Sequence, residues 1–194
     1  MTRQNLSEIK SSDVQILFAD LQKQMVAHSK TTAPDALSRS AAALAQLAKL
    51  FQLPVILSVV PEAKPGPELL PELAEQTSND PQFLRVVASP FQDGATREAL
   101  AASGRKTLII AGFATEAVVL HAVMGAINEG YHVYVPVDAC GGISERTEAA
   151  ALRQIEAIGG VTTSTVTLAT ALAPDFSTEM GKAMFNILQP LLLA

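Results

Sequence analysis

A few short stretches of this chain carry side chains that could do chemistry. Asp20 closes an apolar run, VQILFA, within FADLQ. A carboxylate in that position must be desolvated, paired with a cation, or used as an acid or base. The plainer readings are a helix N-cap or a turn residue. Arg85, in LRVVA, could hold that carboxylate through a charge-assisted, two-pronged bond. Taken alone, it reads first as a solvated surface charge. Residues 112–119, GFATEAVV, follow TLIIA and precede LHAVMGAINEG, as a strand-to-helix turn would. The free N–H groups of such a turn favour an anion or an oxyanion, and Thr115 is expected to cap the helix. The turn contains no thiol, and its only hydroxyl is that of Thr115. Cys140, in VDACGG, is the single cysteine and reads first as a small, inert packing residue. His28, His121 and His132 have no ligand spacing, so no metal and no cofactor are expected. AGFATEA lacks the glycine pattern and lysine of a phosphate loop, and no G-x-S-x-G occurs.

These residues need a scaffold, and the apolar patterning supplies one. Continuous apolar runs of strand length occur at 14–19, 53–60, 84–88, 107–111 and 132–137, with a less apolar one opening at 161. Helix-like stretches lie between them. Over 34–52, Leu37, Leu44, Leu47 and Phe51 recur on one face after Pro34. Further helices are predicted over 94–104, 115–129 and 144–159, stopped by Gly104, Gly130 and Gly159-Gly160, with Ser144 opening the last. Residues 61–81 hold five prolines and predict an irregular connection. The tail, STEMGKAMFNILQPLLLA, predicts a helix interrupted near Pro190. Strands apolar throughout, each followed by a helix, indicate an α/β fold. It is a three-layer α/β/α domain around a doubly wound, six-stranded, mostly parallel sheet, spanning 1–194 as one unit. Ligands then bind beyond the carboxyl ends of the strands, where Asp20, Arg85, the 112–115 turn and Asp138–Cys140 would converge.

Composition narrows the function classes. Apolar residues make up 48% of the 194, charged residues 17%, and the net charge is −5. Lysines and arginines are scattered, so no nucleic-acid face is expected. No apolar run reaches membrane-spanning length, the first residues, MTRQNLSEIKSSD, hold no apolar leader core, and one cysteine excludes an internal disulfide framework. A cytoplasmic protein is expected. Little charged surface and the apolar ILQPLLLA segment point to a homo-oligomer.

FADLQ, the SPF turn at 89–91 and GFATEAVVLHAVMGAINEGYHVYVPVDACGGIS together resemble the isochorismatase-like cysteine hydrolases, from about Val14 to Val166. That family includes nicotinamidases, N-carbamoylsarcosine amidases and isochorismatases. The resemblance implies an Asp–Lys–Cys machinery in which the thiolate attacks an amide carbon and the Asp takes its proton. It places the Asp at Asp20, the Lys at Arg85 and the Cys at Val118. It also implies a cis bond between Phe113 and Ala114, an oxyanion region over Phe113, Ala114 and Thr115, and a pocket lined by Phe91 and Gln22. Val118 cannot form a thioester, and an arginine does not readily give up a proton. Three readings follow: a scaffold that binds a small molecule or acts structurally without catalysis; a thiol-independent hydrolase with Asp20 as general acid and Arg85 holding a substrate carboxylate; or Cys140 standing in for the missing thiol.

Overall fold

A computed structural model describes residues 9–63 and 66–193. The polar N-terminal segment before Ile9, where no leader was expected, and Pro65 of the proline-rich connection lie outside the described residues. The chain forms a parallel sheet of seven strands in the order β3-β2-β1-β4-β5-β7, with β6 paired to β4. The strands are Val14–Ala19 (β1), Val55–Val59 (β2), Gln82–Leu84 (β3), Thr107–Phe113 (β4), His132–Pro136 (β5), Cys140–Gly141 (β6) and Val161–Thr163 (β7). The sequence predicts six; β6 is the addition. A three-residue 3-10 turn, Val137–Ala139, ends β5 early, and β6 then takes over the pairing to the far end of β4 through Gly112 and Phe113.

The helices are Lys23–Val26 (α1), Pro34–Phe51 (α2), Pro71–Thr77 (α3), Gly94–Ala102 (α4), Leu120–Asn128 (α5), Glu145–Ala157 (α6), Thr165–Leu172 (α7) and Glu179–Leu192 (α8). Alternation along β1 sorts them between two faces. Ile16 and Phe18 join one core with Leu37 and Leu44 of α2, Leu73 of α3 and Leu168 of α7. Leu17 and Ala19 point the other way, to Leu100 of α4, Val123 of α5 and Ile155 of α6. Burial on both faces is why β1, β2 and β4 read as unbroken apolar runs. Helix α2 is buried well beyond its sheet-facing stripe, because Met184 and Leu188 of α8 pack on Leu47 from outside. The tail helix does not break at Pro190: that residue sits in its last turn, where little helix remains to disrupt.

Two element boundaries move in ways that matter for the site. The third strand lies at 82–84, not 84–88. Only its three residues pair with β2, and Val86 and Val87 leave the sheet edge with 85% and 36% of their surface exposed. The helix predicted from 115 opens as a wide π turn, Thr115–Val119, before α5 begins. The sheet order reverses direction between β1 and β4, which opens a crevice between the loops at their carboxyl ends.

Candidate active site

Asp20 follows the last residue of β1 in a left-handed conformation, φ 56°, while its N–H still donates to the Ser58 carbonyl at 2.9 Å. The backbone therefore stays tied to β2 as the side chain turns into the crevice. There it meets Arg85. Nη1 donates to Oδ1 at 2.6 Å and Nη2 to Oδ2 at 2.7 Å, and the two side chains are 1% and 5% exposed. Arg85 is steered by its own N–H, which donates to the Val59 carbonyl at 2.9 Å just beyond β3. Nη1 also reaches the Ser58 hydroxyl and Nη2 the Ala88 carbonyl, both at 3.4 Å; Nε is enclosed without a partner. Burial raises the Asp20 pKa above its ordinary value. The Arg85 hydrogen bonds and charge oppose that rise, and the Glu62 carboxylate adds to it. A guanidinium does not deprotonate, so the short two-pronged geometry is that of an ion pair. Asp20 is thus a carboxylate held on both oxygens, with a higher proton affinity than an exposed aspartate.

The opposite wall comes from the end of β4. Gly112 is required there, since any Cβ would collide with the Ala19 carbonyl on β1. The Phe113–Ala114 peptide is cis. The Ala114 carbonyl then accepts from Ala117 N–H at 3.0 Å and Val119 N–H at 3.4 Å, which sets the wide turn. Thr115 does not cap the helix. Its hydroxyl points back to the Gly141 carbonyl at 3.1 Å and Glu148 Oε1 at 2.7 Å, because the strand after β5 lies against it. Glu116 Oε1 accepts from Ile143 N–H and the Thr147 hydroxyl, so two glutamates strap this turn to the loop after β6. Phe113, Ala114 and Thr115 are buried behind the wall; Ala117 and Val118 form its surface.

The space between is about 510 Å³, within the roughly 300–1,000 Å³ of small-molecule sites. Asp20 and Arg85 form its polar end. Met25 of α1, with Val60 and Pro61 after β2, closes one side; Val86, Val87 and Ala88 close another. No thiol, hydroxyl, amine or imidazole lines it among the described residues. Val118 is 3% exposed and packs with Val119, Leu120 and Phe91 in the core behind the wall.

Two expected lining residues lie elsewhere. Phe91 packs edge-on to Tyr131, ring centroids 5.8 Å apart, and presses on Gly125; it borders a separate cleft of about 310 Å³ with His121 and Met124. The 3-10 turn at Pro90–Gln92 swings it onto α5, away from Asp20. Gln22 is fully buried beneath the crevice. Its amide donates to the Val60 carbonyl at 3.0 Å and accepts from Val60 N–H at 2.8 Å, so it fixes a wall residue without lining the space itself. Cys140 is 0% exposed on β6, with Sγ 4.0 Å from the Ile110 carbonyl, and burial pushes its pKa up to about 12. It does not line the crevice and is not a thiolate at neutral pH. Among the described residues no group of three His, Cys, Asp or Glu is placed to hold a metal.

Sequence reasoning missed Val60, Val86 and Val87 as wall residues. Val86 and Val87 carry the apolar signature of a strand, and nothing local to them betrays a loop.

Comparison with known proteins places this architecture. The Isochorismatase domain model matches residues 14–167. YcaC of Escherichia coli strain K12, a hydrolase-type protein, is 34% identical over 154 residues, covering 78% of this chain and 73% of that one. The structure of Pseudomonas aeruginosa YcaC, solved with hexane-2,5-diol and covalent acrylamide, superposes with a TM-score of 0.88 at 28% identity, covering 95% of this chain and 93% of that one. The Escherichia coli YcaC structure, described as an octameric hydrolase of unknown specificity, gives 0.87 at 29% identity, covering 93% and 88%. By the span of the domain match and the agreement of these folds, the chain belongs to the isochorismatase family of hydrolase-like α/β proteins.

Proposed function

We propose that this chain is an isochorismatase-family protein that keeps the small-molecule crevice but does not use a covalent thioester route. The observation that carries this is the pairing of two side chains. Val118 stands at the wall with no atom able to attack a carbon, and Arg85 occupies both oxygens of Asp20. The two features fit one another. In a thiol mechanism the carboxylate must be free to accept the thiol proton. An arginine fork takes one lone pair on each oxygen and opposes protonation, and without a thiol nothing is lost by doing so. Removing a covalent nucleophile lowers rates by several orders of magnitude.

The test is a screen of amides, carbamoyl compounds and isochorismate against wild type, Asp20→Ala and Val118→Cys. Wild type is expected to show no turnover of amides, with a gain on introducing the thiol. Amide hydrolysis by wild type through an acyl-enzyme would refute the reading. One observation favours a second reading, hydrolysis with Asp20 as general acid: burial raises its proton affinity. Turnover of a vinyl ether lost in Asp20→Ala would establish it. The chain is further read as a cytoplasmic homo-oligomer of a single domain, supported by the lone cysteine and by the octamer described for Escherichia coli YcaC. Light scattering that gives a monomer at micromolar concentration would remove the oligomer.

A further inference from the structure

We infer that the crevice selects uncharged, largely aliphatic ligands and rejects carboxylates, because the two charges at its wall among the described residues, Asp20 and Arg85, are spent on each other. This rests on the reading of the crevice as a binding site and goes further by naming the ligand class. A carboxylate ligand would need a free cation. Among the described residues, Arg85 is the sole cation lining the crevice. Its terminal N–H groups are committed to Asp20, Ser58 and Ala88, and its Nε lies enclosed where no ligand atom can reach. A guanidinium has five N–H donors, and none is left for a substrate carboxylate. Arg85 therefore does not hold a ligand carboxylate, as the sequence suggested it could. The nearby Glu62 carboxylate, strong enough to act on Asp20, adds repulsion.

A cation fares little better. The Asp20 charge is already neutralised by Arg85, and Glu62, although its field favours a cation, does not line the crevice and has its Oε1 buried out of contact. An ammonium would shed its water for no full counter-charge, which is unfavourable in an apolar cleft. A neutral ligand meets neither cost. A carboxylate offers about four lone-pair sites and Arg85 uses two of them. A single hydroxyl or amide N–H on the ligand can donate to a remaining one. The rest of the ligand would lie on Met25, Val60, Val87 and Val118, whose apolar surfaces gain from its burial.

Three probes of equal length test this: hexan-1-ol, hexylammonium and hexanoate, titrated by ligand-observed NMR against wild type and Val118→Phe, which narrows the cleft. The alcohol is expected to bind at least about tenfold tighter than either ion, and Val118→Phe is expected to abolish its binding. Asp20→Ala adds an inversion test, since the freed Arg85 should then bind hexanoate tightly; should that variant not fold, the wild-type order decides alone. Hexanoate or hexylammonium binding wild type as tightly as hexan-1-ol, and losing it in Val118→Phe, would overturn the ligand class while leaving a working crevice. No binding by any probe, or binding that Val118→Phe leaves intact, would overturn the crevice as a binding site and this inference with it.

Discussion

Replacing Asp20 by alanine would leave a guanidinium that is almost wholly enclosed with no counter-charge. Breaking a buried pair from one side costs about 3–5 kcal/mol, because the remaining ion is desolvated and unpaired. For a chain of this length each kcal/mol shifts Tm by roughly 2–4 °C, so Asp20→Ala should lower Tm by about 6–20 °C. Replacing both partners by apolar residues of similar size, Asp20→Leu with Arg85→Met, should recover most of that loss, since well-packed apolar substitutes for buried pairs are often neutral or stabilising. Calorimetry on wild type, both single variants and the double variant closes the cycle. A drop below about 3 °C in Asp20→Ala, or a double variant as unstable as the singles, would refute the claim that Arg85 depends on Asp20. Arg85 would then be solvated, and the crevice would have a cation to spare.

Other outcomes follow from residues around the crevice. Cys140 should not react with a thiol reagent at pH 8 in the native protein and should react once in denaturant. Its native pKa is about 12 against an ordinary 9.0, so above pH 9 the unfolded chain releases a proton that the native one keeps. Stability then falls as pH rises, by up to about 1.4 kcal/mol per unit. Cys140→Ala should lack that component of the slope in a pH series of unfolding curves. Gly112→Ala should fail to fold or lose at least about 1–3 kcal/mol, since the added Cβ meets the Ala19 carbonyl; a normal Tm would show that β1 and β4 can part there. Gln22→Ala removes both hydrogen bonds to Val60. It should cost about 1–3 kcal/mol in denaturant unfolding and weaken ligand binding, although the side chain touches no ligand.

The central strands were legible because burial on both faces writes itself as continuous apolar runs. Asp20 was legible for the same reason, as a charge where an apolar run stops. Arg85 was legible as a possible two-pronged partner for Asp20, but its element was not: LRVVA reads as strand, yet only Leu84 is in one. Two valines look alike whether they pair in a sheet or line a cleft, and tertiary context decides. The π turn left no mark, because TEAVVLHAV suits any helical winding. Phe91 was assigned to the pocket by the resemblance carried in the SPF turn. Its position is set instead by the missing side chain of Gly125, on a helix thirty-odd residues later, a kind of complementarity that local patterning does not carry.

The proposed lack of a working nucleophile can be measured directly. Pseudomonas aeruginosa YcaC was solved with covalent acrylamide. Native protein of this chain and its Val118→Cys variant should be incubated with acrylamide near neutral pH and weighed intact by mass spectrometry. Wild type is expected to keep its mass, with Cys140 sealed on β6, while the variant gains one adduct that peptide mapping locates at position 118. An adduct on folded wild-type protein, at Cys140 or any residue facing Asp20, would mean that the crevice holds a reactive group after all.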